Sequence, residues 1–124
     1  MTFPEDWPSD CPSADTPDAT GEIFRIVKGN PVTAADLRSH HESGKLPKAN
    51  PCLRCGLSVF LELGDALHQQ QLLPQLGNKI AQARLEPMHG KARPTPGRQP
   101  THTTWWPYQE VDRAVIFTVV QELI

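Results

Sequence analysis

The sequence predicts an α+β fold: a single domain with a mixed or antiparallel sheet of about five strands and two main helices. Three observations carry that expectation. Five short runs are rich in β-branched and aromatic residues: "EIFRIVK" (22–28), "LSVFL" (57–61), "NKIAQARLE" (78–86), "HTTWW" (102–106) and "AVIFTVV" (114–120). Helical patterns fall between them only twice, so the order is β-α-β-α-β-β-β and not the strict alternation of a doubly wound parallel sheet. The chain has 124 residues, which suits one domain.

Each element follows from local chemistry. Residues 1–21 carry five acidic residues, four prolines and no Lys or Arg. Such a segment buries too little apolar surface to offset its ordering entropy, so it reads as an extended arm ahead of a domain at 22–124. Phe3 and Trp7 are its two aromatic anchors, expected to dock on this domain or on a partner. In 22–28, alternation puts Ile23, Arg25 and Val27 on one face and Phe24 and Ile26 on the other. Gly29-Asn30-Pro31 is a turn. "TAAD" then sets an N-cap Thr33 three residues before an acid, opening a helix that Gly44 closes. "KLPKANP" is a loop.

After the strand at 57–61, "ELGDALHQQQLL" predicts a helix that buries Leu63, Ala66, Leu67 and Leu73 and stops at Pro74. The strand at 78–86 sends Ala81, Ala83 and Leu85 to one side. Residues 87–101 are rich in Pro and Gly and predict irregular structure. Pro107 ends the strand at 102–106, and "PYQEVDR" suits one helical turn. The continuous apolar run 114–120 predicts a central strand buried on both faces.

Net charge is −2, so overall charge points to neither nucleic acid nor a membrane surface. No run of about 18 apolar residues suggests a membrane span. The N-terminal stretch has neither the basic nor the apolar region of a secretory signal. Three cysteines are an odd number, which argues against a disulfide framework. A reducing cytoplasm is the expected location.

Cys52 and Cys55 in "NPCLRCGLSVF" have the spacing of half a zinc site. The other half must come from Cys11, His40, His41, His68, His89 or His102. Only His40-His41 forms a second close pair, and adjacent helical residues point about 100° apart. A redox pair would want a helix after it, whereas a strand follows. The expectation is that both cysteines are small apolar residues at the core edge, and that no metal or other cofactor is bound. The basic loop "MHGKARPTPGRQPTHTT" (88–104) carries Lys91, Arg93 and Arg98. It suits phosphate contact or, alternatively, a clamp on the chain's own acidic arm; nucleic acid is not the expected partner. In "TTWWPY", Trp105 and Trp106 face opposite ways along a strand. One fills the core and the other reaches the surface or lies under the N-terminal arm. Trp105, Trp106 and Tyr108, with Arg93 and Arg98, form the expected binding surface for a protein partner.

"FRIVKGNPVTAADLRSHHESGK", "GLSVF", "LGNKIAQARL" and "THTTWWPY" together resemble a group of small uncharacterised bacterial proteins over about residues 22–120. The resemblance implies no particular activity. It implies a "SVF" strand whose approach does not depend on a cysteine pair, which argues further against zinc. More distantly, Arg25, Ser58 and Glu110 are similar in order to the functional residues of small ADP-ribosyltransferase-like barrels. That resemblance implies Arg25 on the NAD phosphates, Ser58 shaping the nicotinamide pocket and Glu110 stabilising an oxocarbenium charge. The paired acidic element of such barrels is not matched, because "YQEVD" sets Gln109 beside Glu110.

The sequence therefore predicts a cytoplasmic binding or accessory module acting through protein–protein contacts. The competing expectations are an NAD-dependent ADP-ribosyltransferase or NAD hydrolase, of the kind found in toxins, and a small zinc-supported module.

Overall fold

Alternation along the first strand organises the molecule. In β1 (Gly21–Val27), Ile23 and Val27 enter one core and Phe24 and Ile26 the other. The structure, a computed structural model, describes residues 1–123. After β1 come a 3-10 turn (Ala34–Leu37), α1 (Pro51–Cys55), β2 (Leu57–Phe60), α2 (Leu63–Leu72), β3 (Lys79–Leu85), β4 (Gly90–Pro94), β5 (His102–Pro107) and β6 (Thr118–Glu122). The six strands form one antiparallel sheet in the order β4-β5-β2-β1-β3-β6. The fold is α+β, as the sequence predicts.

The main core lies on the face that carries Ile23, Leu57, Val59, Ala81, Ala83, Leu85 and Trp105. Val32 and Leu37 cover it from one side, and Phe117 from another. On the opposite face, α2 packs Leu63, Ala66 and Leu67 against Phe24, Ile26, Phe60 and Ile80. Further along that face, Trp106 is covered by Cys55 and by Trp7 and Cys11 of the arm.

The arm docks on its own domain. Trp7 is buried, Phe3 stacks on it at 5.4 Å, and Phe3 also meets Tyr108 at 4.7 Å. Residues 17–19 lie along the outer edge of β4: Ala92 N–H donates to the Pro17 carbonyl, Ala19 N–H to that of Gly90, and Lys91 pairs with Asp18 at 2.7 Å. The arm thus covers a sheet edge that would otherwise expose unpaired backbone. The alternative reading of the basic segment, a clamp on the acidic arm, matches the Lys91–Asp18 pair.

The expectation against a disulfide is overturned. Cys11 of the arm and Cys52 of α1 are joined, 41 positions apart. An odd count leaves one thiol over without forbidding a bond between the other two; the remaining thiol is Cys55, fully buried. The disulfide also removes Cys52 from any zinc pair with Cys55. Among the described residues, no group of three His, Cys, Asp or Glu could hold a metal ion.

Four elements differ from expectation. The helix expected at 33–44 is only the 3-10 turn 34–37, because Asp36 turns its carboxylate back onto the Lys28 and Gly29 amides and Leu37 alone is deeply buried there. The expected loop before β2 ends in a short helix, α1, whose Asn50 cap accepts from the Cys52 and Leu53 amides and whose Pro51 is suited to the first turn. The segment 87–101 is not irregular throughout: residues 90–94 pair with β5 as β4. The run 114–120 is not a central strand. Val115 is 76% exposed in a turn, and β6 is an edge strand beginning at Thr118. No helix among the described residues is long and apolar enough to cross a membrane.

Candidate functional site: a basic groove beside the sheet

β1 and β2 pair at a single register position, Phe24 with Phe60, and then part. Arg25 occupies the split. Its Nε donates to the Asp36 carbonyl at 2.9 Å and its Nη1 to the Ser58 carbonyl at 2.8 Å. The guanidinium fork thus stands in for the backbone donor that Ser58 lacks on this side. Desolvation pushes the guanidinium down to about 10, with nearby Asp36 opposing that shift and Arg113 adding to it. At neutral pH the group stays cationic.

The split opens into a groove of about 750 Å³. Its apolar side comes from Ile26, Phe60, Leu73 and Leu76, where the sheet meets the end of α2. Its other side, from β1 and the 33–45 segment, carries Lys28, Arg38, His40 and Lys45. Among the described residues, Asp36 is the only carboxylate on the lining. That carboxylate is already occupied: it accepts from the Lys28, Gly29 and Thr33 amides and from Thr33 Oγ1, at 2.8 to 3.2 Å. Burial alone would raise its pKa; these donors more than reverse that and hold it below the ordinary value.

The four cations of the groove are free of such partners. Among the described residues, Arg25, Lys28, Arg38 and Lys45 form no ion pair, whereas Lys79, Lys91 and Arg113 each have a carboxylate. The His40 imidazole is held below its ordinary value, chiefly by desolvation and then by the nearby Arg25, Lys45 and Arg54. A concave surface lined by four cations and one carboxylate whose oxygens are already hydrogen-bonded favours an anionic ligand.

The remaining expected site residues lie elsewhere. Arg25 and Ser58 do meet in the groove, though through the Ser58 carbonyl and not its hydroxyl. Glu110 does not join them. Its carboxylate accepts from the Thr2 amide at 2.9 Å and Thr2 Oγ1 at 2.8 Å, and it is not on the groove lining. The expected binding surface at the tryptophan pair is corrected as well. Trp105 and Trp106 are both 0% exposed. Trp105 Nε1 donates to the His89 carbonyl, and Trp106 Nε1 to that of Cys52. Both faces of β5 are covered, one by the main core and the other by the arm and α1, so neither indole reaches solvent. Arg93 lies over the Trp106 ring at 5.6 Å, Tyr108 meets Phe3, and Arg98 is exposed in the segment between β4 and β5.

No sequence pattern marks Lys28, Arg38 and Lys45. They are scattered over three local elements and form no motif. The one available signal was Arg25 itself, a cation at a strand position that alternates with core residues. Comparison with family models, curated proteins and solved structures gave no match.

Proposed function

We propose that the protein is a non-catalytic binding module that acts through protein–protein contacts, holding an acidic segment of a partner protein in this groove. One observation carries the reading: four cations without ion pairs face a groove whose single carboxylate is saturated by its own chain. An acidic polypeptide suits the groove better than a compact phosphate. The amides of Lys28, Gly29 and Thr33, which could cradle a phosphate, are taken by Asp36. The opposite wall offers Leu73 and Leu76 to aliphatic side chains between the carboxylates. Cytoplasmic location remains part of the proposal; there a disulfide such as Cys11–Cys52 would be a transient, redox-responsive bond.

A labelled peptide of alternating Glu and Leu, followed by fluorescence anisotropy, tests the reading. Binding is expected to weaken about tenfold when Lys28→Glu and Arg38→Glu are combined, and to weaken steeply with added salt. Binding that ignores both changes overturns it. ADP-ribosyl transfer from NAD is favoured only by the meeting of Arg25 and Ser58 in the groove. It requires NAD to be cleaved, and cleavage that survives Glu110→Gln would remove that residue from the scheme.

A further inference from the structure

We infer that the Cys11–Cys52 disulfide braces the outer wall of the basic groove, so that its reduction by a dithiol loosens that wall and weakens the hold on an acidic segment. The second half of this inference rests on the groove reading above; the first half does not.

The wall is the segment that carries Ser39, His40, Ser43 and Lys45. It belongs to no regular strand or helix. Much of its support comes from α1 and the arm. The Arg54 carbonyl accepts from the His41 amide at 3.0 Å, and Arg54 Nε donates to the Lys45 carbonyl at 2.9 Å. From the arm, Asp6 takes the His41 Nε2 at 2.8 Å. Cys52 lies on α1 two residues before Arg54, and Cys11 lies on the arm five residues after Asp6. The disulfide is therefore the covalent link between the two elements that brace the wall. α1 also leads directly into Gly56, Leu57 and Ser58, which line the groove. A displacement of α1 is felt on both the wall and the floor. A second support, the Arg113–Glu42 ion pair, holds the far side of the same segment and does not depend on the arm.

The chemistry balances with one named co-reactant. A thiolate of the dithiol attacks the Sγ of Cys52, the half-buried residue of the pair, whereas Cys11 is buried. The S–S bond breaks and Cys11 leaves as a thiolate that takes a proton. The second thiol of the reductant then closes its own disulfide and releases Cys52. Two electrons pass from the dithiol to the two cysteines. Cys55 does not substitute for the reductant, although it shares the cluster. Burial pushes its thiol up to about 11, with Asp6 adding to that shift, so roughly one molecule in ten thousand carries the thiolate at pH 7.

The test compares oxidised and dithiothreitol-reduced full-length chain by amide hydrogen exchange, with intact mass showing the gain of two hydrogens. The expected result is exchange at the His41 and Lys45 amides that speeds up on reduction by a factor several-fold larger than at the β3 amides, which report only the global loss of stability, with the Glu-Leu peptide bound more weakly by about fivefold. Cys11→Ser should show the reduced pattern without reductant. Unchanged exchange at His41 and Lys45 in fully reduced protein overturns the inference. So does an acceleration that is equal at the wall and throughout β3, because the bond would then hold the whole fold and not the wall. If the oxidised protein ignores the peptide while the wall still loosens on reduction, the groove reading fails and the redox coupling of the wall stands.

Discussion

Arg25 Nη1 lies 2.8 Å from the carbonyl oxygen of Ser58, across the point where β1 and β2 part. The contact has two consequences. It gives a strand carbonyl the donor that the neighbouring strand does not supply. It also plants an unpaired positive charge at the mouth of the groove, because both acceptors of the guanidinium are neutral carbonyls. The feature that opens the sheet and the feature that charges the opening are one side chain.

Arg25→Met should therefore destabilise the fold. It leaves the Ser58 and Asp36 carbonyls without their donors, at about 2–3 kcal/mol in urea unfolding, while relieving some desolvation of the charge. Arg25→Lys keeps the charge but not the fork, so it should fall between the two. A methionine variant as stable as the parent would mean that the guanidinium does not hold the split.

Asp36 predicts a defined acid response. Its folded pKa is below its ordinary 3.8, with burial opposing the shift and the Lys28, Thr33 and Gly29 donors producing it. A carboxyl depressed in the folded state stabilises the fold above its unfolded value and loses that contribution as the pH falls through the folded value. Asp36→Asn should be less stable than the parent by about 1 kcal/mol at neutral pH, the smaller figure reflecting its solvent access. The gap should close below about pH 4, as read by urea midpoints across pH. The same variant removes the one carboxylate that the described residues place on the groove, so it should bind the acidic peptide more tightly while being less stable. A variant that is weaker in both respects would assign Asp36 to ligand contact instead.

Where side chains report burial locally, the sequence was legible. Alternation placed Ile23 and Val27 opposite Phe24 and Ile26, and it grouped Ala81, Ala83 and Leu85; the structure agrees in each case. The losses were non-local. "AVIFTVV" reads as a buried strand from composition, but Val115 faces solvent because the chain turns there before pairing with the outer side of β3. β4 is short and proline-flanked, and only its register with β5 and the arm at its edge reveals it. The groove was missed for the same reason. Lys28, Arg38 and Lys45 converge only after Asp36 folds its turn back onto β1, and no spacing in the sequence records that. The tryptophan pair was singled out correctly as an aromatic cluster, but the arm settles which way its second ring is used.

Gly90 and Gly64 give opposite predictions for the same substitution. Gly90 has φ +128°, and a Cβ there would run into the Trp106 carbonyl of β5. Gly90→Ala should lower stability by about 2 kcal/mol or more, from backbone strain and a contact with main chain that cannot swing away. Gly64 lies in α2 with nothing near an added Cβ. Gly64→Ala should raise stability by about 0.5 kcal/mol through reduced backbone entropy of the unfolded chain. Thermal melts of the two variants distinguish strain at β4 from a fold that tolerates no replacement of glycine: equal losses at both sites would contradict the assignment.

The arm offers a sharper separation, because beside its backbone hydrogen bonds to β4 it is held by three further kinds of contact. Trp7 packs against Trp106, Lys91 and His41 pair with arm carboxylates, and the disulfide closes a loop across 41 positions. Chain entropy assigns the last of these about 4 kcal/mol as an upper figure, because cross-linking that loop restricts the unfolded chain. Contacts between exposed charged side chains are screened by solvent and contribute little. Replacing both Cys11 and Cys52 by Ser should thus lower the melting temperature far more than Lys91→Ala. It should leave Trp7 seated as long as the Trp106 contact survives, so the indole emission of the folded double variant stays blue. Trp106→Phe is the complementary change: it keeps the disulfide, strips the donor from the Cys52 carbonyl, and leaves a gap under Trp7. Its melting temperature should fall while the disulfide persists. If the serine variant melts with the parent, the covalent link adds nothing that packing around Trp106 does not already supply, and the arm is held by burial alone.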